Sequence, residues 1–191
     1  MMARRHDPER RDRIIDAAIS CIAEDGVAGT SHRRVAARAD VPLGSMTYHF
    51  ASMDDLLVEA FTRFATSIAD TFEQRLAASP DQDAAAEAVV ALIHGDLQRS
   101  QREHVLTYEL YTLAARRPAF RSITQTWMRA SRRALERHFA PETVRALDAY
   151  IEGAALHIAL DPDPQPPAAT RAAVDRLTRA PARGAVASVR P

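Results

Sequence analysis

The chain has 191 residues, is 47% hydrophobic and 6% aromatic, and balances 25 basic against 25 acidic residues for a formal net charge of zero. That is enough apolar material for one large domain or two small ones, and six glycines are too few for a turn-rich β sandwich. Overall charge gives no support for nucleic-acid binding, so any such reading rests on local charge.

Alanine does much of the apolar work, and alanine costs least in a helix interior, so the composition predicts an all-α chain. The basic residues are all arginine, which reflects coding composition more than function, although arginine binds phosphate well. Cys21 is the only cysteine, which excludes an intrachain disulfide and suits a reducing compartment. The charged start, MMARRHDPERR, does not read as a secretory signal, and no apolar run approaches the ~20 residues of a membrane span. A cytoplasmic protein that does not enter the membrane is expected.

In chain order, Asp7-Pro8 opens a first helix in which Ile14, Ile15, Ala18, Ile19 and Ile22 recur at helical spacing. Gly26 is its expected end. Thr30 or Ser31 then caps a short helix running to about Arg38, with Val35, Ala36 and Ala39 inward. Asp40 stands at a turn that calls for a left-handed residue. Pro42 opens a second short helix within VPLGSMTYHF, and Ser52 caps a long helix carrying Leu56, Leu57, Ala60, Phe61, Phe64, Ala65 and Ile68. Pro80, Pro118 and Pro141 divide the rest into helices at about 82–99, 102–116, 119–138 and 142–160. DPDPQPP (161–167) is too proline-dense to be helical, and a short helix at about 168–179 follows it. The expected divisions are 1–52, 53–180 and a disordered tail at 181–191.

Two short helices joined by a tight turn and braced on either side make a helix-turn-helix. The second offers Ser45, Thr47, Tyr48 and His49 and has few anchors, Met46 and Phe50. A helix of this width fits the DNA major groove, where base edges present a readable donor and acceptor pattern. In that role Ser45 and Thr47 touch bases, Tyr48 and His49 hold phosphates, Leu43 meets a thymine methyl and the Gly44 backbone comes close. Between Val27 and Met53, Arg33, Arg34 and Arg38 outnumber the one acid, Asp40, leaving +2. Thr30 or Ser31 and the amides beginning the first short helix aim at phosphate, and Arg4 and Arg5 form an arm on the DNA. The same pattern also fits a plain helical hairpin with a solvated face.

The segment IIDAAISCIAEDGVAGTSHRRVAARADVPLGSMTYHFASMDDLLVEAF closely resembles the N-terminal DNA-binding domain of TetR-family transcriptional regulators, whose usual ending appears as Met46, Thr47, Tyr48, His49 and Phe50. PLGSMTYHF together with RALDAYIEGAALH resembles the RcdA-type branch. The resemblance covers the first ~60 residues strongly and the remainder loosely. It implies a three-helix DNA-binding domain on a helical body that binds a small molecule and pairs with a second copy, acting by default as a repressor. It places base contacts at His32, Gly44, Ser45 and Thr47, and phosphate contacts at Thr30, Tyr48 and His49. Three positions depart from the pattern. Met53 replaces a common lysine, Thr47 a common tyrosine, and Asp40 the usual turn glycine.

In the body, Val144, Leu147, Ile151, Ala154 and Ile158 form one stripe, and Phe120, Ile123, Trp127, Leu135 and Phe139 lie on the helix before it. Spacing alone leaves core and interface open. A helix-turn-helix reader needs a two-fold partner, and the resemblance implies pairing through two late helices, so a homodimer through 119–138 and 142–160 is expected. Polar groups at His94, Asp96, Gln98, His104, Tyr108, Glu109, Tyr111 and Thr112 read mostly as solvated or paired. Tyr108, Tyr111 and Trp127 are the best candidates for an effector pocket.

No phosphate loop, Ser-His-Asp setting or HExxH stretch is present, and His94, His104, His138 and His157 lack metal-ligand spacing. Neither an enzyme, nor a metal, nor a cofactor is expected. Cys21 reads as a small core residue. The rival reading is a helical ligand-binding protein without DNA activity.

Overall fold

The structure, a computed structural model, describes residues 9–96 and 101–179. Arg4, Arg5, the Asp7-Pro8 helix start, Gln98 and the 181–191 tail lie outside the described residues.

The order is α1 (Arg10–Gly29), α2 (His32–Arg38), α3 (Gly44–His49), α4 (Met53–Ala78), α5 (Gln82–Ala91), a π-helical turn (Leu92–Asp96), α6 (Gln101–Arg116), α7 (Pro118–Leu135), α8 (Pro141–Leu160) and α9 (Pro167–Thr178). The described residues contain helices and no strands. The prolines at 118, 141 and 167 each begin a helix, where a missing N–H costs nothing. Ser31, Ser52 and Asp81 accept from the backbone amides of Arg34, Asp55 and Ala84 and cap α2, α4 and α5.

Gly26 adopts φ 68°, breaking α1 one turn before its end. The Thr30 hydroxyl donates to the Gly26 carbonyl at 2.8 Å and closes the turn. Asp40, at φ 52°, takes the left-handed corner between α2 and α3, and the Val41 amide donates back to Ala36 at 3.0 Å. This corner lets Val35, Ala36 and Met46 meet Ile14, Ile15 and Ile22 in one core.

The 1–52 boundary expected from sequence does not coincide with a break in packing. The first core continues through Leu56, Phe61 and Phe64 of α4 into Leu106, Leu110 and Ala114 of α6 and Phe120 and Ile123 of α7. A second core joins Phe72 and Leu76 of α4 to α5, α8 and α9. Helix α4 therefore belongs to both, because its 26 residues are long enough to cross them. The stripe Val144, Leu147, Ile151, Ala154 and Ile158 is buried within this second core. On α7 and α8 the large apolar side chains left outside are Met128, Leu156 and Leu160.

No described helix is long and apolar enough to cross a membrane.

Candidate nucleic-acid interface and small-molecule cavity

Helix α3 stands on Met46 and Phe50, both buried, and presents its other face outward. Tyr48 is 83% exposed and Leu43 54%. Thr47 is also exposed, its hydroxyl lying 3.3 Å from the Gly44 carbonyl that accepts from it. His49 is half-buried and meets the Tyr48 ring edge-on at 4.9 Å. Burial, then the charges of Arg10 and Arg11, hold the His49 pKa below its ordinary 6.5, so it is neutral at physiological pH.

Gly44 has neither a positive φ nor a crowded Cβ direction, since nothing lies within 4 Å of a Cβ built there. Its own chain gives no reason for a glycine at this exposed helix start. Close approach by something outside supplies one.

Several expected contact residues are placed differently from the sequence reading. Ser45 is buried at 8% exposure, because it shares the inner edge of α3 with Met46. A direct base contact by its side chain is not available in this arrangement. Thr30 is likewise buried, and its hydroxyl proton is committed to Gly26, so Ser31 and not Thr30 caps α2. His32 is half-buried with its Nε2 buried and unpartnered, so contact with a base through that atom requires the ring to turn.

The local +2 also changes. Arg34 pairs with Asp25 and Arg38 with Glu24, two acids of α1 that lie just before the stretch counted in the sequence. Arg33 is exposed and makes no ion pair among the described residues. Met53 packs against the first core, so it is not a phosphate ligand in the manner of a lysine.

Some distance away, α4, the π-helical turn, α6, α7 and α8 line a partly open cavity of about 250 Å³. Tyr108, Tyr111 and Trp127, the candidates for an effector pocket, all line it. Trp127 sits edge-on to Phe64 at 6.0 Å and tilted to Tyr111 at 6.1 Å. His104 stacks on Tyr108 at 6.1 Å, and burial lowers its pKa, leaving a neutral ring whose Nε2 has no partner.

The sequence reading missed the cavity's acid, Glu152. It accepts a 2.5 Å hydrogen bond from the Tyr111 hydroxyl. Burial raises its pKa above the ordinary 4.5; the Tyr111 bond opposes that shift, and Asp148 one turn earlier adds to it. Burial, followed by Glu152, drives the Tyr111 phenol far above its ordinary value, so it remains a donor. Asp148 is compensated, accepting from Ser131 Oγ at 2.7 Å with Arg132 at 3.8 Å. The legible signal was two acids four residues apart, set among the apolar stripe of α8.

His94 belongs elsewhere: its Nε2 lies 2.7 Å from Thr170 Oγ1, tying the π-helical turn to α9. No cluster that could hold a metal ion occurs among the described residues.

Helix α6 carries both regions. His104, Tyr108 and Tyr111 line the cavity, while Leu106, Leu110 and Ala114 pack in the first core. Arg102 donates to Ser20 of α1 at 3.1 Å, and a Cβ at Gly26 would fall 2.5 Å from Glu109 Oε1.

Residues 14–60 match the family of bacterial regulatory proteins of the tetR type, and residues 80–180 match the tetracyclin repressor-like C-terminal domain. The transcriptional regulator SCO7518 from Streptomyces coelicolor A3(2) has a similar crystal structure, with TM-score 0.86 and 54% identity over 91% of this chain and 100% of that one. The multidrug binding protein EbrR, in its complex with ethidium, is 39% identical with TM-score 0.76 over 90% and 100% of the two chains. Among curated proteins, the transcriptional regulator BetI 1 of Chromohalobacter salexigens is 28% identical over 166 residues, 81% of each chain.

Proposed function

Because the chain belongs to the TetR family of DNA-binding transcriptional regulators, we propose that it is a ligand-responsive repressor that binds a palindromic operator as a homodimer. The observation that carries the DNA side of this reading is the outward face of α3. Thr47 and Tyr48 are exposed beside a glycine that the fold itself does not need. In this reading Thr47 and Leu43 meet base edges, and Tyr48, His49 and Arg33 hold the phosphate backbone.

A second copy docks on the outer faces of α7 and α8, where Met128, Leu156 and Leu160 remain uncovered by their own chain. The cavity takes the effector, and α6 transmits its presence. An effector that shifts Tyr111 or Tyr108 moves the helix that also touches the Gly26 turn of α1. Ligand and operator then favour different placements of the two recognition helices, so each weakens the other's binding. The protein works in the cytoplasm, where its operator is. Placement in the RcdA-type branch belongs to the same reading and rests on PLGSMTYHF and RALDAYIEGAALH.

The relatives are regulators, not enzymes, and a ligand-binding protein without DNA activity is disfavoured by the match over residues 14–60. The test is selection from random DNA by the purified chain at near-physiological salt. An inverted repeat is expected. Weak, salt-sensitive retention with no shared motif would refute sequence-specific binding by the unliganded protein.

A further inference from the structure

The charge of the helix-turn-helix is set by two acids that stand outside it. Arg34 and Arg38 lie one turn apart on the exposed side of α2, and each is held by a carboxylate of α1: Arg34 by Asp25 and Arg38 by Glu24. The Arg34 guanidinium also donates to the Gly29 carbonyl at 3.4 Å, which anchors it at the junction of α1 and α2. Gly29 leaves room for this arrangement, since a Cβ there would fall 2.7 Å from the Asp25 Cβ and 3.9 Å from Arg34 Nη1. Counted from Glu24 to Met53, three arginines meet three acids, Glu24, Asp25 and Asp40, so 3 − 3 = 0. The reading unit is neutral, and Arg33 is its one arginine without an ion pair among the described residues.

In a helix-turn-helix complex the first helix crosses the sugar-phosphate backbone while the second enters the major groove. Helix α2 is that first helix. Phosphate attraction is independent of sequence and supplies nearly all non-specific binding. An arginine that already faces a carboxylate gives up that partner to take a phosphate, and leaves the carboxylate beside a second anion, so the exchange gains little. We propose that Asp25 and Glu24 are specificity determinants: by occupying Arg34 and Arg38 they withhold the positive charge of α2 from DNA of arbitrary sequence, and leave binding to depend on the base contacts of α3. The effect is unequal on the two kinds of DNA. On arbitrary sequence no base contact fixes the register, so a freed arginine swings to whichever phosphate is nearest. On an operator α3 fixes the register, and a freed arginine gains less.

This inference rests on the chain reading an operator, and the two arms of the experiment keep the failures apart. The full chain is titrated into a labelled duplex of random sequence and into the selected operator, and anisotropy is read from about 50 to 200 mM salt. Asp25→Asn and Glu24→Gln keep the shape of each pair and remove the acid's charge. Each is expected to bind the random duplex about fivefold more tightly at ~100 mM salt, with a salt slope steeper by about 1 for each recognition domain. On the operator each should gain less than about twofold, so discrimination falls. Tighter binding also shows each variant to be folded. In an Arg34→Ala background Asp25→Asn should bring no gain. Asp40→Asn removes an acid of the same unit that has no ion pair among the described residues, and asparagine keeps the left-handed corner, so the salt slope should stay as it is. Unchanged binding of the random duplex by both acid variants, a gain that persists without Arg34, an equal gain on operator and random duplex, or an equal steepening in Asp40→Asn would overturn the proposal. A selection that returns no operator would refute sequence reading by the chain, while a gain by Asp25→Asn on the random duplex would still uphold the withholding of charge.

Discussion

The hydroxyl of Tyr111 on α6 donates a 2.5 Å hydrogen bond to Glu152 Oε2 on α8, spanning the cavity between residues 41 positions apart. This bond steadies the charged form of Glu152. Tyr111→Phe removes the donor, so the Glu152 pKa rises further. At pH 7.5 the variant should lose about 1–3 kcal/mol of stability, the cost of leaving a buried acceptor without its donor. Denaturant melts of wild type and variant read this directly; an unchanged midpoint would remove the bond from the stability account.

Glu152 also makes stability depend on pH. Its folded pKa lies above the unfolded value, so its favourable contribution is complete below 4.5 and is lost as pH rises through the folded value. Glutamine is neutral throughout and can still accept from Tyr111. Glu152→Gln should therefore melt at a higher temperature than wild type at pH 7.5, with the gap closing toward pH 4.5. Thermal melts at the two pH values check it, and a variant less stable at pH 7.5 would contradict the sign.

Gly44 and Gly26 should behave oppositely. At Gly44 a methyl group meets open space, and alanine is the better helix former by about 1 kcal/mol. Gly44→Ala should leave the free protein equally or more stable yet weaken operator binding. At Gly26, the positive φ and the nearby Glu109 carboxylate both oppose a side chain. Gly26→Ala should cost about 1–3 kcal/mol from the backbone alone, since φ 68° with ψ 176° is a conformation essentially reserved for glycine. Melting curves with and without operator DNA distinguish the two sites.

On α3, Tyr48→Ala should weaken binding to specific and random DNA alike. Thr47→Ala should chiefly relax preference at one base pair, a loss of about 1–3 kcal/mol if a good base contact is removed. Competition assays against single-base operator variants separate these outcomes. Equal loss on all sequences in Thr47→Ala would count against base reading.

Arg33 and Arg38 offer a further contrast. Arg33 is unpaired among the described residues, whereas Arg38 is held by Glu24. Arg33→Ala should reduce the slope of log affinity against log salt by about 1 for each recognition domain. Arg38→Ala should change it less, because its charge is already answered within the chain. Binding measured across a salt series decides between them.

Local rules made much of this chain legible. Prolines at 118 and 141, the serine cap at 52, the glycine break at 26 and the left-handed corner at Asp40 all act within a few residues, so helices and the helix-turn-helix could be read in order. Aromatic residues at 108, 111 and 127 could be marked as cavity lining because their size and polarity are intrinsic. Tertiary structure decided what each face meets. It buried Ser45 and Thr30, answered Arg34 and Arg38 with Asp25 and Glu24, and drew the first core across the expected domain boundary. Among the described residues it also paired Asp148 with Arg132 while Glu152 accepts from the Tyr111 hydroxyl. Helical periodicity states which side chains share a face, but burial, pairing and charge depend on the distant segment packed against that face.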